Sequence, residues 1–117
     1  MQLYDEIARQ IEPYEGDIGI LINNAGVMLE SPNRFLDQKE ESLWQHIRVN
    51  IAGVMMMTRV VLPAMVARKK GLIINVSSIA AYKPLALMGV YSASKVRLAD
   101  DKAVLSIKYL INHNNFF

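Results

Sequence analysis

The chain has 117 residues and a formal net charge of +2, which is room for one domain at most and too little charge to point to nucleic acid. It has no cysteine, which excludes a disulfide framework, a zinc knuckle and a thiol nucleophile. Asp5, Glu6 and Arg9 interrupt the opening turns where a signal peptide would be apolar. The longest apolar stretch, 51–57, falls far short of the roughly 20 residues that a membrane span needs, so no membrane segment is expected.

The spacing predicts a helix over residues 3–11. A strand follows at Ile18-Gly19-Ile20-Leu21-Ile22. A second strand is expected at Leu72-Ile73-Ile74-Asn75-Val76. Continuous aliphatic runs bounded by Gly and Asn or Ser suit a parallel sheet covered on both faces. Between them Leu43, Ile47, Val54, Met57 and Val61 form one apolar stripe of a long helix. Pro63 should kink or end that helix. Arg68-Lys69-Lys70 sit where it should stop, and cations there complement the helix dipole. A last helix begins near Met88. The order α-β-α-β-α is a piece of an open α/β sheet. Two strands leave outer edges unpaired, and unpaired apolar edges invite association, so the pattern reads as part of something larger.

Tyr91-Ser92-Ala93-Ser94-Lys95 is the most informative segment, with Ser78 thirteen residues before the tyrosine. Residues four apart on a helix share a face. An ammonium beside a phenol stabilises the phenolate, and a serine at the end of the preceding strand can hold a carbonyl or carbinol oxygen. Together they suit proton transfer at a C–O redox centre. Asn23-Asn24-Ala25-Gly26 closes the first strand, and carboxyl ends of parallel strands are where such sheets place ligands. The same residues also suit a plain strand-ending turn.

Asn50 continues the apolar stripe and should point inward. A buried amide without partners costs about 1–3 kcal/mol, so it should bind backbone, water or another side chain. The alternative is an amide that satisfies a distorted helix carbonyl. Trp44 and Met55-Met56-Met57 read as core packing or a helix interface. His46 and His113 have no carboxylate or serine at a useful spacing and are expected to be solvated.

Asn-Asn-Ala-Gly, the inward Asn50, Ser77-Ser78 before a loop and Tyr-x-x-x-Lys, in this order, resemble the short-chain dehydrogenase/reductases. Asp17 to Gly26, Val60 to Gly71 and Ile73 to Ser78 are similar to the branch of 17β-hydroxysteroid dehydrogenases, very-long-chain 3-oxoacyl-CoA reductases and hydroxysteroid dehydrogenase-like proteins. The resemblance implies a Rossmann-type doubly wound parallel sheet. It makes Tyr91 the acid/base and Lys95 the cation that favours its phenolate and holds the nicotinamide ribose. It implies that Ser78 orients the substrate oxygen and that Asn50 holds a water joining Lys95 to solvent. Asn23, Ala25 and Gly26 would line the cofactor and brace the central strand. The cofactor implied is NADP(H) in preference to NAD(H), with no metal. The substrate would be a small apolar carbonyl compound, the full-length form a homodimer, and the compartment the endoplasmic reticulum or mitochondrion.

The chain departs from the family pattern in lacking the first βα unit, with its glycine-rich pyrophosphate turn, and the later strands. Residues 1–95 therefore read as the catalytic middle of the family's domain. Alone it is expected to be inactive and prone to associate. A non-catalytic binding or regulatory relative is the alternative. Residues 96–117 read as a divergent tail outside the resemblance. Lys-Val-Arg at 95–97 is what an exon ending in AAG encodes when it runs into a splice donor, and the Asn/Ile/Phe-rich ending suits AT-rich intronic codons. A genuine tail would be helical to about residue 110, with Val96, Ala99, Ala103, Ile107 and Leu110 on one face. Residues 112–117 would be frayed.

Overall fold

The computed structural model describes residues 2–14, 18–28, 32–81 and 85–96, and the backbone of 105–111. The first element is helix α1 (Gln2–Ile11), close to expectation. Strand β1 (Ile20–Asn23) runs parallel to β2 (Gly71–Val76), with Ile20 opposite Leu72 and Asn23 opposite Asn75. Along β2 every second residue is fully buried and the others are half-buried, as a strand covered on both faces requires.

Strand β1 departs from that expectation. Ile20 and Ile22 are 57% and 58% exposed, because nothing among the described residues packs over them or pairs with the outer edge. The second free edge expected on β2 is instead occupied. Strand β3 (Leu105–Ile111) pairs antiparallel with β2, Gly71 facing Ile111 and Val76 facing Leu105. The tail is therefore extended where a helix to about residue 110 was expected. Its β-branched and aromatic content (Ile107, Tyr109, Ile111) suits a strand as well as the period-3.6 stripe suits a helix, and the available ladder on β2 decides between them. Residues 112–117 lie outside the described residues.

The long helical run has three parts: α2 (Glu40–His46), a π-helical segment (Ile47–Ala52) and α3 (Gly53–Ala67). Its buried positions are Ser42, His46, Asn50, Val54, Val61 and Met65, not the predicted stripe throughout. Val54 and Val61 hold, whereas Ile47 is 43% exposed. A π turn takes an extra residue, so inward positions before residue 54 fall four apart and the buried face slips by one residue. Leu43 gives way to Ser42, and Ile47 to His46. Pro63 does not end the helix, which continues to Ala67. Trp44 and Met55 are 48% and 66% exposed, so neither is core.

The helix closes through Lys69, at φ 55°. Its N–H bonds Val66 O at 3.0 Å, and Lys70 N–H bonds Met65 O at 3.1 Å. The Arg68 guanidinium donates to Lys70 O and reaches across to Ile18 O beside β1. By length and composition alone the run Glu40–Ala67, 28 residues containing an 18-residue window of mean hydropathy 1.7, is long and apolar enough to cross a membrane, a property that core helices share. Here its apolar face lies on the sheet: Val61 and Met65 pack with Ile73, flanked by Ile11, Ile18 and Leu21.

Gly71 is the tight point of that core. A Cβ there would lie 2.5 Å from both Cγ and Sδ of fully buried Met65 and 2.7 Å from its Cβ. Gly71→Ala should destabilise the chain by about 1–3 kcal/mol through overpacking. The check is the urea midpoint, and an unchanged midpoint would contradict this packing.

Candidate active site

Helix α4 (Gly89–Val96) begins where the sequence placed it and carries Tyr91 and Lys95 on one face. Met88 N–H closes a turn onto Leu85 O, and Asn33 N–H ties the loop after β1 to Leu87 O. Lys95 is only 5% exposed, and its Nζ lies 6.0 Å from the centre of the half-buried Tyr91 ring. Among the described residues no carboxylate lies within ion-pair distance of this ammonium. A desolvated cation without a counter-ion is costly, so its surroundings have to be polar by other means.

Ser78 lies two residues past the end of β2, and its Oγ accepts a hydrogen bond from Ala80 N–H at 3.2 Å, which turns the chain beneath it. Its neighbour Ser77 is buried and donates to Lys95 O at 2.9 Å. That bond pins the last turn of α4 to the carboxyl end of β2. Strand end and Lys95 thereby share one rigid frame.

Asn50 is fully buried in the π segment, and both its amide protons and its oxygen have partners. Oδ1 accepts from Val27 N–H at 2.8 Å. Nδ2 donates to Val27 O and to Ser94 Oγ, each at 2.9 Å. Ser94 Oγ then donates to Tyr91 O at 2.7 Å. One side chain thus clamps the loop after β1 to α4. Its partners are backbone and side chain, two of the options expected, and not a carbonyl of its own helix.

Asn23 ties the strands together at the same end of the sheet. Its Nδ2 donates to Asn75 Oδ1 at 2.8 Å and to Thr58 Oγ1 at 3.3 Å. Asn24, Ala25 and Gly26, by contrast, are exposed. A groove of about 630 Å³ opens beside them, lined by Asn23, Asn24 and Ala25 with Tyr4, Val49 and Met57.

His46 corrects the sequence reading. It is 3% exposed, not solvated, and its ring meets Tyr91 edge-on with centroids 6.3 Å apart. Its Nδ1 lies 2.8 Å from Ser42 O; a carbonyl only accepts, so Nδ1 carries the proton. The period of four through Ser42, His46 and Asn50 was the signal that could have found it. Ser77, Ser94, Thr58 and Asn75 were also missed as site supports, because pairing across elements leaves no local spacing to read. His113 lies outside the described residues.

The family model for short chain dehydrogenases matches residues 1–101. The chain belongs to that family. The inactive hydroxysteroid dehydrogenase-like protein 1 of Pongo abelii is 45% identical over 93 residues, 80% of this chain and 28% of that protein. Mouse 17-beta-hydroxysteroid dehydrogenase type 3 is 45% identical over 109 residues, 92% of this chain and 34% of that one. Among solved structures, a metagenomic short-chain oxidoreductase in complex with NADP is 34% identical with a TM-score of 0.74, covering 81% of this chain and 42% of that chain. This chain thus spans under half the length of each of these three proteins.

The match to the mouse enzyme is too long to stop at Lys95, so the family resemblance runs into the tail. That overturns the reading of residues 96–117 as wholly outside the family.

The residues present fit one end of a dinucleotide. Exposed backbone at Ala25 and Gly26 permits close approach, and a buried ammonium offers donors to sugar hydroxyls. The glycine-rich turn that would receive the pyrophosphate is not among these 117 residues.

Proposed function

We propose that this chain carries the acid/base centre of an NAD(P)-dependent oxidoreductase acting on a carbonyl or hydroxyl of an apolar substrate. The observation that supports it most directly is the Lys95 ammonium, buried beside the Tyr91 ring. A buried cation without an ion-pair partner has no structural benefit that a leucine would not exceed, but it can donate hydrogen bonds to ribose hydroxyls and set a positive charge beside the phenol.

The cofactor, when bound, supplies or accepts the hydride at the substrate carbon. Tyr91 Oη gives its proton to the carbonyl oxygen on reduction, or takes it from the alcohol on oxidation. Ser78 Oγ holds that oxygen. Lys95 holds the nicotinamide ribose and stabilises the tyrosinate, and Asn50 keeps the loop after β1 and α4 in register while supporting a water between Lys95 and solvent. Asn23, Ala25 and Gly26 line the cofactor. NADP(H) is favoured over NAD(H), in line with the NADP complex among the similar structures. The substrate is a steroid or 3-oxoacyl thioester, a class consistent with the relative named as a 17-beta-hydroxysteroid dehydrogenase. A full-length homodimer at the endoplasmic reticulum or mitochondrion completes the reading.

A second reading is a non-catalytic binding or regulatory protein, favoured by the relative whose name calls it inactive. The two separate in one experiment. A longer protein that joins this chain to a pyrophosphate-binding half is expected to consume NADPH with an apolar ketone or 3-oxoacyl thioester, while the 117-residue chain alone does not. Stoichiometric NADPH binding by the longer protein, without turnover of either substrate class, would favour the second reading.

A further inference from the structure

Gly26 lies in the loop after β1 and is exposed to solvent on one side. On the other it faces the buried end of Lys95. A Cβ built at Gly26 would stand 2.8 Å from Lys95 Nζ, 3.5 Å from its Cε and 3.3 Å from Asn50 Oδ1. The first distance is a clash and the last is tight. No positive φ is found at any described glycine, so a left-handed backbone is not what requires glycine here. Space is the remaining requirement, and the group that fills the space is the ammonium.

We propose that Gly26 is a positioning residue for Lys95: the missing side chain is the seat in which the ammonium rests. The seat has three walls. Asn50 Oδ1 contributes a carbonyl dipole from the π segment, held in place because it also accepts Val27 N–H at 2.8 Å. The Tyr91 ring contributes its face, 6.0 Å from Nζ to the centroid, near the outer limit for a cation–π contact. The Gly26 backbone forms the third wall. No carboxylate lies within ion-pair reach among the described residues, so these are the groups that the described residues place around the charge.

The consequence is a separation of stability from position. Lys95 Nζ is the far end of a four-carbon chain, so a methyl group at residue 26 displaces it cheaply by rotation and leaves the helix in place. The helix itself is anchored by other bonds, from Ser77 Oγ to Lys95 O and from Asn50 Nδ2 to Ser94 Oγ. Gly26→Ala should therefore move the ammonium off the tyrosine without unfolding the chain. The meaning of that shift for catalysis rests on the oxidoreductase reading, but the seat itself can be tested without any turnover.

The test is the rate of acylation of each lysine in the full chain by an amine-reactive ester, read by mass spectrometry, with the urea midpoint measured alongside. In the parent chain Lys95 should acylate slowest of the lysines in the described residues. In Gly26→Ala its rate should rise by about tenfold or more, with Lys39, Lys69 and Lys70 unchanged and the midpoint retained. An unchanged Lys95 rate overturns the proposal. So does a uniform rise at all lysines with a lowered midpoint that is not recovered by adding Lys95→Met, which removes the ammonium and keeps the stem. Recovery of the midpoint in that double variant, by contrast, identifies the ammonium as the group that the methyl strikes.

Discussion

Tyr91→Phe in a protein that joins this chain to its cofactor-binding half should lower turnover by two to four powers of ten, the usual range for loss of an essential general acid/base. The substitution keeps the ring, so the edge-on contact with His46 and the approach of Lys95 Nζ at 6.0 Å persist, and α4 stays seated. Only the transferable proton goes. Cofactor affinity should change little, because the ribose-binding ammonium is untouched. Steady-state kinetics with a direct measurement of cofactor binding separates the two effects. Near-normal kcat in the variant would falsify the role assigned to Tyr91.

The largest stability effect is expected at Asn50. Replacing it by leucine conserves volume but removes three hydrogen bonds, two to Val27 backbone and one to Ser94 Oγ. Val27 is half-buried and Ser94 is 3% exposed, so water can replace these bonds only in part. Leaving buried groups unpaired costs about 1–3 kcal/mol each. With partial relaxation of the loop, Asn50→Leu should cost about 2–4 kcal/mol in all. The loop after β1 should also detach from α4. Amide hydrogen exchange at Val27 reads this directly: its protection should drop well before that of β2. Retained protection at Val27 would show that something other than the Asn50 clamp holds the loop.

The two cases show unequal legibility in the sequence. Tyr91, Lys95 and Ser78 could be read from spacing because a helix and the strand end before it impose local rules: four residues make one helical face, and a strand terminus faces the ligand side of the sheet. The parallel pairing of β1 and β2 was legible because two aliphatic runs are joined by a long helical crossover, although cover on both faces holds for β2 and not for β1. Asn50 was legible as a buried amide, through the cost of leaving it unpaired. Its partners were not, because Val27 and Ser94 lie 23 and 44 residues away and no periodicity connects them.

The wrong expectations share a cause. Ile47 was taken as buried because the stripe was read at 3.6 residues per turn throughout, and a π segment changes the count locally. His46 was taken as solvated for want of a partner at a useful spacing, and that same slip turns it inward. The segment over 105–111 was taken as helical because its apolar residues fit one helical face, while the same residues fit a strand once a free ladder is on offer. Local sequence sets which faces and turns are available. It also sets which side chains are on hand: Tyr91 and Lys95 on one helical face, the serines after β2 and the small-residue loop after β1, in a chain without cysteine. Which faces meet is a different matter. The clamp of Asn50 on Val27, the lock of Ser77 on Lys95, the contact of His46 with Tyr91 and the seat opposite Gly26 depend on elements far apart in the chain reaching within a few ångströms, and packing energy summed over the whole fold decides that, not the propensity of any one segment.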